Sequence, residues 1–105
     1  MGASTRMVVG AVPTSAADVF TASASFGAAV SMVQVTNTTA ANINLTVTVS
    51  TDGSTYRALA NLIVVPPSTA VGVTTGTLNM ATNGRIRMLG SASGLEYVIS
   101  ALDYA

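Results

Sequence analysis

The chain has 105 residues, which is the length of one domain. It contains four arginines, four acidic residues, no lysine, no histidine and no cysteine, so its formal net charge is zero. This composition excludes catalysis by Ser-His-Asp or Cys-His groups, lysine Schiff bases, thiolate-bound zinc and disulfide bonds.

Small side chains dominate the sequence, with 17 alanines, 15 threonines, 11 serines and 9 glycines. A core of valine and alanine buries less apolar area than one of leucine and phenylalanine, so we expect an isolated monomer to be only modestly stable. A neutral surface also lacks the repulsion that keeps soluble proteins apart. The composition therefore predicts self-association, and we expect a symmetric trimer.

The N-terminal segment, residues 1–12, carries an apolar run from Met7 to Val12 that is shorter than the core of a signal peptide. Residues 5–12 favour a strand. Because the segment lies outside the two hairpins predicted below, we expect it to act as an N-terminal arm that reaches a neighbour. No stretch of about 20 apolar residues occurs anywhere, so no membrane partner is expected.

The strongest structural signal is the strict alternation of apolar and polar residues over 43–50, which predicts a strand with one buried face. Asp52 and Gly53 follow it and predict a two-residue turn. That turn places Val49 opposite Tyr56 and sends both side chains into the core. The same pattern predicts that the hairpin's second strand continues through residue 62.

A second hairpin is predicted from strands at 85–89 and 95–101, joined by a glycine-rich turn. One register places Arg87 opposite Glu96, keeps the apolar residues on one face and forms a cross-strand ion pair. The alternative register mixes polar and apolar residues on both faces, so the first is preferred.

Other short strands complete the pattern, and prolines and turn residues separate them. The turn dipeptide Asn83-Gly84 precedes the second hairpin. The remaining predicted strands are 18–25, 28–36, 61–65, 69–74 and 77–80. The sequence therefore predicts an all-β fold, a single antiparallel β-sandwich of about eight short strands that spans residues 1–105.

The four acidic residues do not form a catalytic or metal-binding pattern. Asp52 is explained by its turn and Glu96 by its ion pair with Arg87, and calcium loops need several closely spaced oxygen ligands. We expect no catalytic residue, no metal ion and no cofactor. Arg85 and Arg87 share one strand face, but no lysine joins them and no aromatic residues alternate with them, so we expect no nucleic-acid partner.

Two tripeptides match the N-glycosylation motif, beginning at Asn37 and at Asn44. A chain with 15 threonines produces such matches by chance. We therefore give these motifs no weight.

One longer stretch resembles a known class of proteins. The run from Val47 to Tyr56, the segment 59–68 with its two prolines, the Gly-, Thr- and Ala-rich stretch after it and the strand 95–101 are similar to small virion proteins of tailed bacteriophages. The resemblance covers residues 28–101. It implies a non-enzymatic β-sandwich protein located in the virion, either a capsid decoration (cement) protein or a head-tail or tail accessory protein.

The resemblance also implies partners, namely other copies of the chain and a major capsid or other virion protein. Candidate interface residues are apolar or charged residues on the terminal segments and on the last two strands: Met7, Val8, Val9, Arg85, Arg87, Glu96, Leu102 and Tyr104.

The alternative function is a β-sandwich adhesin or carbohydrate-binding module, in which exposed aromatic rings would stack on sugars. The predicted registers turn Tyr56 and Tyr97 inward. Only Phe20, Phe26 and Tyr104 then remain as candidates for a sugar platform, and these are few and scattered.

Overall fold

The computed structural model describes residues 3–22, 27–51, 54–74 and 76–104. Nine strands lie in this part of the chain: β1 (Ala3–Ala11), β2 (Ala17–Thr21), β3 (Ala28–Asn37), β4 (Ile43–Ser50), β5 (Tyr56–Val65), β6 (Ala70–Gly72), β7 (Leu78–Met80), β8 (Arg85–Gly90) and β9 (Leu95–Tyr104). The predicted all-β antiparallel sandwich is confirmed. No helix in the described residues has the length and apolarity needed to cross a bilayer.

The strands form two antiparallel sheets. Sheet A has the order β1-β9-β3-β6, with β7 pairing with the other end of β3, and sheet B has the order β2-β8-β4-β5. Most consecutive strands lie in opposite sheets, so the chain winds around the sandwich. This order is that of a jelly roll, in which two Greek keys are interleaved.

The core lies between the sheets and consists of the inward residues of each alternating strand. Valine is its commonest residue, as the composition suggests, and the larger side chains come from the central strands. The largest fully buried hydrophobic side chains are Leu45, Ile86, Met88, Leu95, Ile99, Val30, Val33, Val35, Val47 and Val65.

The β4–β5 hairpin exists, but its register differs from the predicted one. Ser50 pairs with Tyr56 and Val49 with Arg57, so the predicted pairing of Val49 with Tyr56 is wrong. Tyr56 therefore points away from the core. On the outer surface its hydroxyl has polar partners, which a buried position beside Val49 would not provide. Asp52 and Gly53 lie outside the described residues.

The predicted hairpin of the last two strands is also wrong. β8 lies in sheet B between β2 and β4, and β9 lies in sheet A between β1 and β3. Arg87 therefore pairs with Asp18 across the β2–β8 ladder, and Glu96 lies opposite Ala11 and Thr36. Both strands have one mainly apolar face, and two packed sheets that each contribute such a face can bury both of these faces.

The chain makes a tight turn before β8. The Gly84 amide donates a hydrogen bond to the Ala81 carbonyl at 3.0 Å, and Asn83 has a φ of 63°. A type II turn needs positive φ at its third residue, which asparagine tolerates better than most residues. Gly84 is buried, and a Cβ there would lie 3.1 Å from the Cβ of Met80, so the turn packs tightly on the end of β7.

The N-terminal strand β1 is an edge of sheet A. It pairs with β9 along its whole length, from Ala3 opposite Tyr104 to Ala11 opposite Glu96. Within this chain, residues 3–11 therefore contribute a complete strand to the sandwich.

Candidate interaction surfaces

The outer surface of sheet A is broad, uncharged over most of its area and rich in apolar side chains. Residues from β1, β9 and β3 lie side by side on it in four rows across the strands. We call this surface the sheet A face. Its rows are Thr5, Leu102 and Ala29; Met7, Ser100 and Met32; Val9, Val98 and Gln34; and Ala11, Glu96 and Thr36.

Four apolar side chains on the sheet A face are exposed, two of them strongly. The exposed fraction is 70% for Met7, 59% for Val9, 37% for Leu102 and 36% for Met32. Isolated exposed apolar residues are normal on protein surfaces, but a contiguous group on one flat face indicates a contact with another molecule.

A β-bulge in β3 brings Met32 to the sheet A face. The register against β9 shifts between Val30 and Met32, and the Ser31 hydroxyl donates to the Ser100 carbonyl at 3.1 Å. Simple alternation would put residue 32 inward with residue 30, so sequence reasoning missed Met32. The change of phase, with buried valines at 30, 33 and 35, is the signal that could have found it.

The structure brings four of the predicted interface residues together. Met7, Val9, Glu96 and Leu102 share the sheet A face. Val8, in contrast, lies between them in sequence and packs against the core.

The other predicted interface residues lie elsewhere. Arg85 and Arg87 are on the outer surface of sheet B, and Tyr104 has its backbone in β9 while its side chain is outside the described part of the chain.

Arg85 and Arg87 belong to a polar cluster around Asp18. The Asp18 carboxylate lies 3.2 Å from Arg85 Nη1 and 3.2 Å from Arg87 Nε. The Tyr56 hydroxyl donates to the same carboxylate at 3.0 Å, and the Arg87 guanidinium lies 3.8 Å from the centre of the Tyr56 ring. One carboxylate thus holds two arginines and a tyrosine, so these arginines are committed within the chain.

The pKa of Asp18 is lowered from its ordinary value of 3.8. Partial burial acts to raise it, but hydrogen bonds from Tyr56, Arg85 and Arg87 together outweigh that effect. Desolvation, together with the same carboxylate, raises the pKa of Tyr56. The cluster is therefore arranged around an ionised Asp18.

Replacing Asp18 by asparagine should lower the free energy of unfolding by about 1 kcal/mol at neutral pH, because two half-exposed ion pairs are lost. Because the pKa of Asp18 is lower in the folded chain than in the unfolded chain, the carboxylate stabilises the fold at pH values above its unfolded-state pKa. This stabilisation is lost as the pH falls through the folded-state pKa. The difference between the wild type and Asp18→Asn should therefore shrink below about pH 4. Urea unfolding across this pH range measures it.

The matched control for that experiment is Glu96→Gln, since Glu96 is exposed and has no ion pair among the described residues. It should leave the free energy of unfolding nearly unchanged at every pH. A pH-independent effect of Asp18→Asn would contradict the role of the ionised carboxylate.

A second ion pair lies within sheet A, between β1 and β9, and its arginine also reaches β2 of sheet B. Arg6 Nε lies 2.9 Å from Asp103 Oδ2, and Arg6 Nη2 donates to the Thr21 carbonyl at 3.0 Å. The Arg6 guanidinium also lies 4.3 Å from the centre of the Phe20 ring. Three of the four arginines are thus paired with acids inside the chain. Arg57 and Glu96 are the described ionic side chains that form no ion pair with another described residue.

The surface depressions of the molecule are shallow and carry little ionisable chemistry. One of them, of about 310 Å³, is lined by Val9, Gly10, Ala11, Glu96, Tyr97 and Val98. Three other depressions are lined by apolar and uncharged polar residues. One includes Leu62, one includes Met80, and the third includes Leu59. Among the described residues no three His, Cys, Asp or Glu side chains come together as a metal site would require.

The described aromatic side chains do not form a sugar-binding platform. Phe20 is 3% exposed, so its expected place on the surface is wrong. Tyr56 is half-buried beside Arg87, and Tyr97 is half-buried against the core, in the space left by Gly10. Phe26 lies outside the described residues.

No protein-family model and no curated protein sequence matches this chain. Solved structures do match its fold. A chain of Bacillus endospore appendages, which are disulfide-linked pili, superposes with a TM-score of 0.60 at 15% identity, covering 97% of this chain and 86% of that one.

Viral particle proteins match as well. Chains from the T13 and T=1 particles of infectious bursal disease virus superpose with a TM-score of 0.54 each, at 9% and 12% identity. The matches cover 97% and 95% of this chain but only 31% and 30% of the viral chains. At these identities the likeness shows a shared fold and nothing more.

Proposed function

We propose that the chain is a non-enzymatic structural protein of a virion, of the capsid decoration type, which attaches to a capsid lattice and stabilises it. The observation that carries this proposal is the sheet A face, an almost uncharged surface with four exposed apolar side chains, of which Met7 and Val9 are strongly exposed. Such a surface is suited to contact with other protein rather than with a small ligand or a nucleic acid.

The distribution of charge supports an assembly role. Arg6, Arg85 and Arg87 are paired with acids of the same chain, so few charges remain for contacts with a partner. Attachment should then depend on apolar area and backbone pairing, which salt does not weaken.

The N-terminal segment 1–12 has a place in this proposal as a contact arm. β1 is an edge strand, and its side away from β9 offers backbone groups with which a neighbouring strand can pair. Its outward side chains Met7 and Val9 extend the sheet A face to that edge.

The jelly roll is compatible with the proposal, because viral shell proteins use this architecture repeatedly. A fold alone does not determine a function, so the proposal depends on the surface. A head-tail or tail accessory protein would use the same kind of surface at another place in the particle.

The attachment experiment uses density-gradient-purified virus particles from the strain that encodes the chain. We expect the chain to co-purify with the shell protein in a constant ratio and to stay attached when salt is raised to about 0.5 M, where exposed charges are screened within a few ångströms. Quantitative mass spectrometry of the washed particles measures the ratio.

Two results would contradict the proposal. Absence of the chain from purified particles would exclude a virion protein, and release by salt alone would show that the attachment is electrostatic.

The second candidate function is a subunit of a filament, which the full-length match to the Bacillus endospore appendage chain favours. The chain has no cysteine, so such a filament would have to be non-covalent. Electron microscopy of the concentrated pure chain distinguishes the two candidates: a decoration protein gives discrete oligomers, and a filament subunit gives fibres.

A further inference from the structure

We propose that the sheet A face binds the same face of a second copy of this chain, so that two sandwiches stack sheet against sheet about a two-fold axis. This self-contact concerns the free chain and uses the face that the proposed function assigns to capsid attachment, so the dimer has to open before the chain attaches through that face. It also differs from the trimer expected from composition, which would need another surface.

The size of the sheet A face matches what a stable dimer needs. β6 and β7 pair with the far side of β3, so the outer surface of sheet A is four strand positions wide. With strands about 4.8 Å apart and about 30 Å long, its footprint is on the order of 600 Å². Specific protein interfaces bury roughly 600 to 1,000 Å² on each partner. Two sheets that pack face to face also reproduce the packing inside a β-sandwich, where sheets lie about 10 Å apart.

The polarity of the sheet A face favours a second copy over a charged partner. Its only ionic side chain among the four rows is Glu96, at one end, and the middle rows contain Met7, Met32 and Val98. A strongly charged partner would lose hydration on this surface without gaining ion pairs. A second copy of the face brings the same apolar side chains to the contact. Because it carries almost no charge, little hydration of charged groups is lost when the two faces meet.

The position of Glu96 determines the orientation of the two-fold axis. If the axis ran along the strands, the two Glu96 carboxylates would face each other across the contact. If it runs across the strands over the row of Met7, Ser100 and Met32, each Glu96 lies about 13 Å from the axis, on opposite sides of it. The second orientation avoids like-charge repulsion, so we assign it to the dimer.

In this arrangement the central row meets its own copy. Met7 contacts the second copy's Met7, and Met32 contacts the second copy's Met32. Methionine side chains are flexible and adapt to each other across such a contact. The row also has a small residue, Ser100, at its centre, which lets the two sheets approach closely.

The test is sedimentation of the pure chain over a range of concentrations. We expect a monomer–dimer equilibrium for the wild type and an increase of roughly 100-fold in the dissociation constant for Met7→Glu, which buries two unpaired carboxylates near each other. Met7 is 70% exposed in the single chain, so the substitution should leave the melting temperature unchanged at a concentration low enough for the wild type to be monomeric. Val64→Glu is the matched control, because Val64 is 53% exposed on β5 of the other sheet.

A mixed sample tests the axis itself. Met7→Glu combined with Met7→Lys should form a heterodimer, because opposite charges then meet across the two-fold contact. The proposal would be overturned by a monomeric wild type, by a Val64→Glu variant that dissociates as much as Met7→Glu, or by a Met7→Glu variant that associates like the wild type. Failure of the two Met7 variants to form a heterodimer would overturn the assigned axis. These results are independent of particle attachment, which tests the proposed function separately.

Discussion

Replacing Asn37 by alanine should lower the free energy of unfolding by about 3 kcal/mol, because it leaves several buried polar groups without hydrogen bonds. Asn37 is fully buried. Its Nδ2 group donates to the carbonyls of Ala41 at 2.7 Å and Val65 at 2.9 Å, and its Oδ1 accepts from the amide and hydroxyl of Thr39 at 2.9 and 2.7 Å. One side chain thus ties the end of β3 in sheet A to the end of β5 in sheet B.

The control for this prediction is Asn44→Ala. Asn44 begins the other N-glycosylation tripeptide but is exposed, so its loss should change the free energy of unfolding by less than about 0.5 kcal/mol. Urea unfolding at neutral pH measures both variants. Equal stability of the two would show that the Asn37 hydrogen bonds contribute nothing net. The buried amide of Asn37 is also closed to a glycosyltransferase in the folded chain.

Replacing Gly27 by alanine should be comparably severe, with a loss of about 3 kcal/mol. Gly27 has a φ of 82°, which strains any residue with a Cβ, and the added Cβ would collide with the backbone carbonyl oxygen of Met80. That oxygen belongs to β7, which pairs with β3 immediately after Gly27, so neither partner can move without disturbing a ladder.

The matched control is Gly72→Ala. No heavy atom lies within 4 Å of the Cβ position there, and Gly72 ends a strand. This variant should be as stable as the wild type or slightly more stable, since alanine reduces the freedom of the unfolded chain. If both glycine variants unfold at the same urea concentration, the clash at Gly27 is relieved by relaxation and the prediction fails.

The predicted interface residues separate into two groups, and the separation bears on function. Met7, Val9 and Leu102 are exposed with nothing in the described part of the chain covering them, whereas Arg85 and Arg87 already hold Asp18. A contact through the apolar group needs no rearrangement of the chain. A contact through the arginines would first have to break two ion pairs and the Tyr56 hydrogen bond.

Local pattern was sufficient to predict most strands of this protein. Alternation over 43–50 predicted β4 and its inward residues, and the prolines and turn dipeptides placed the breaks between strands. Strand positions and breaks depend on residues one or two places away in the chain, so they can be predicted from the sequence alone. The lack of histidine, cysteine and lysine likewise limits the chemistry that the chain can perform, whatever its fold.

Which strands pair, and in which register, depended on tertiary structure. β8 and β9 each have an apolar face and a short glycine-rich connection, and a hairpin satisfies that pattern as well as two separate sheets do. Other strands compete with the hairpin partner for each edge. β8 pairs with β2 and β4, and β9 pairs with β1 and β3. Such long-range pairing is invisible to local pattern because every alternating strand offers the same backbone groups.

The candidate surface was only partly predictable for the same reason. Met7, Val9 and Leu102 follow from alternation in β1 and β9. Met32 reaches the sheet A face through a bulge at Ser31, which the sequence marks only by the change of phase between Val30 and Val33. Tyr56 faces outward because its hydroxyl needs Asp18, which lies 38 residues away in sequence. Local alternation determined which face of a strand is apolar, and only the packed sandwich decided which of those apolar faces remain uncovered.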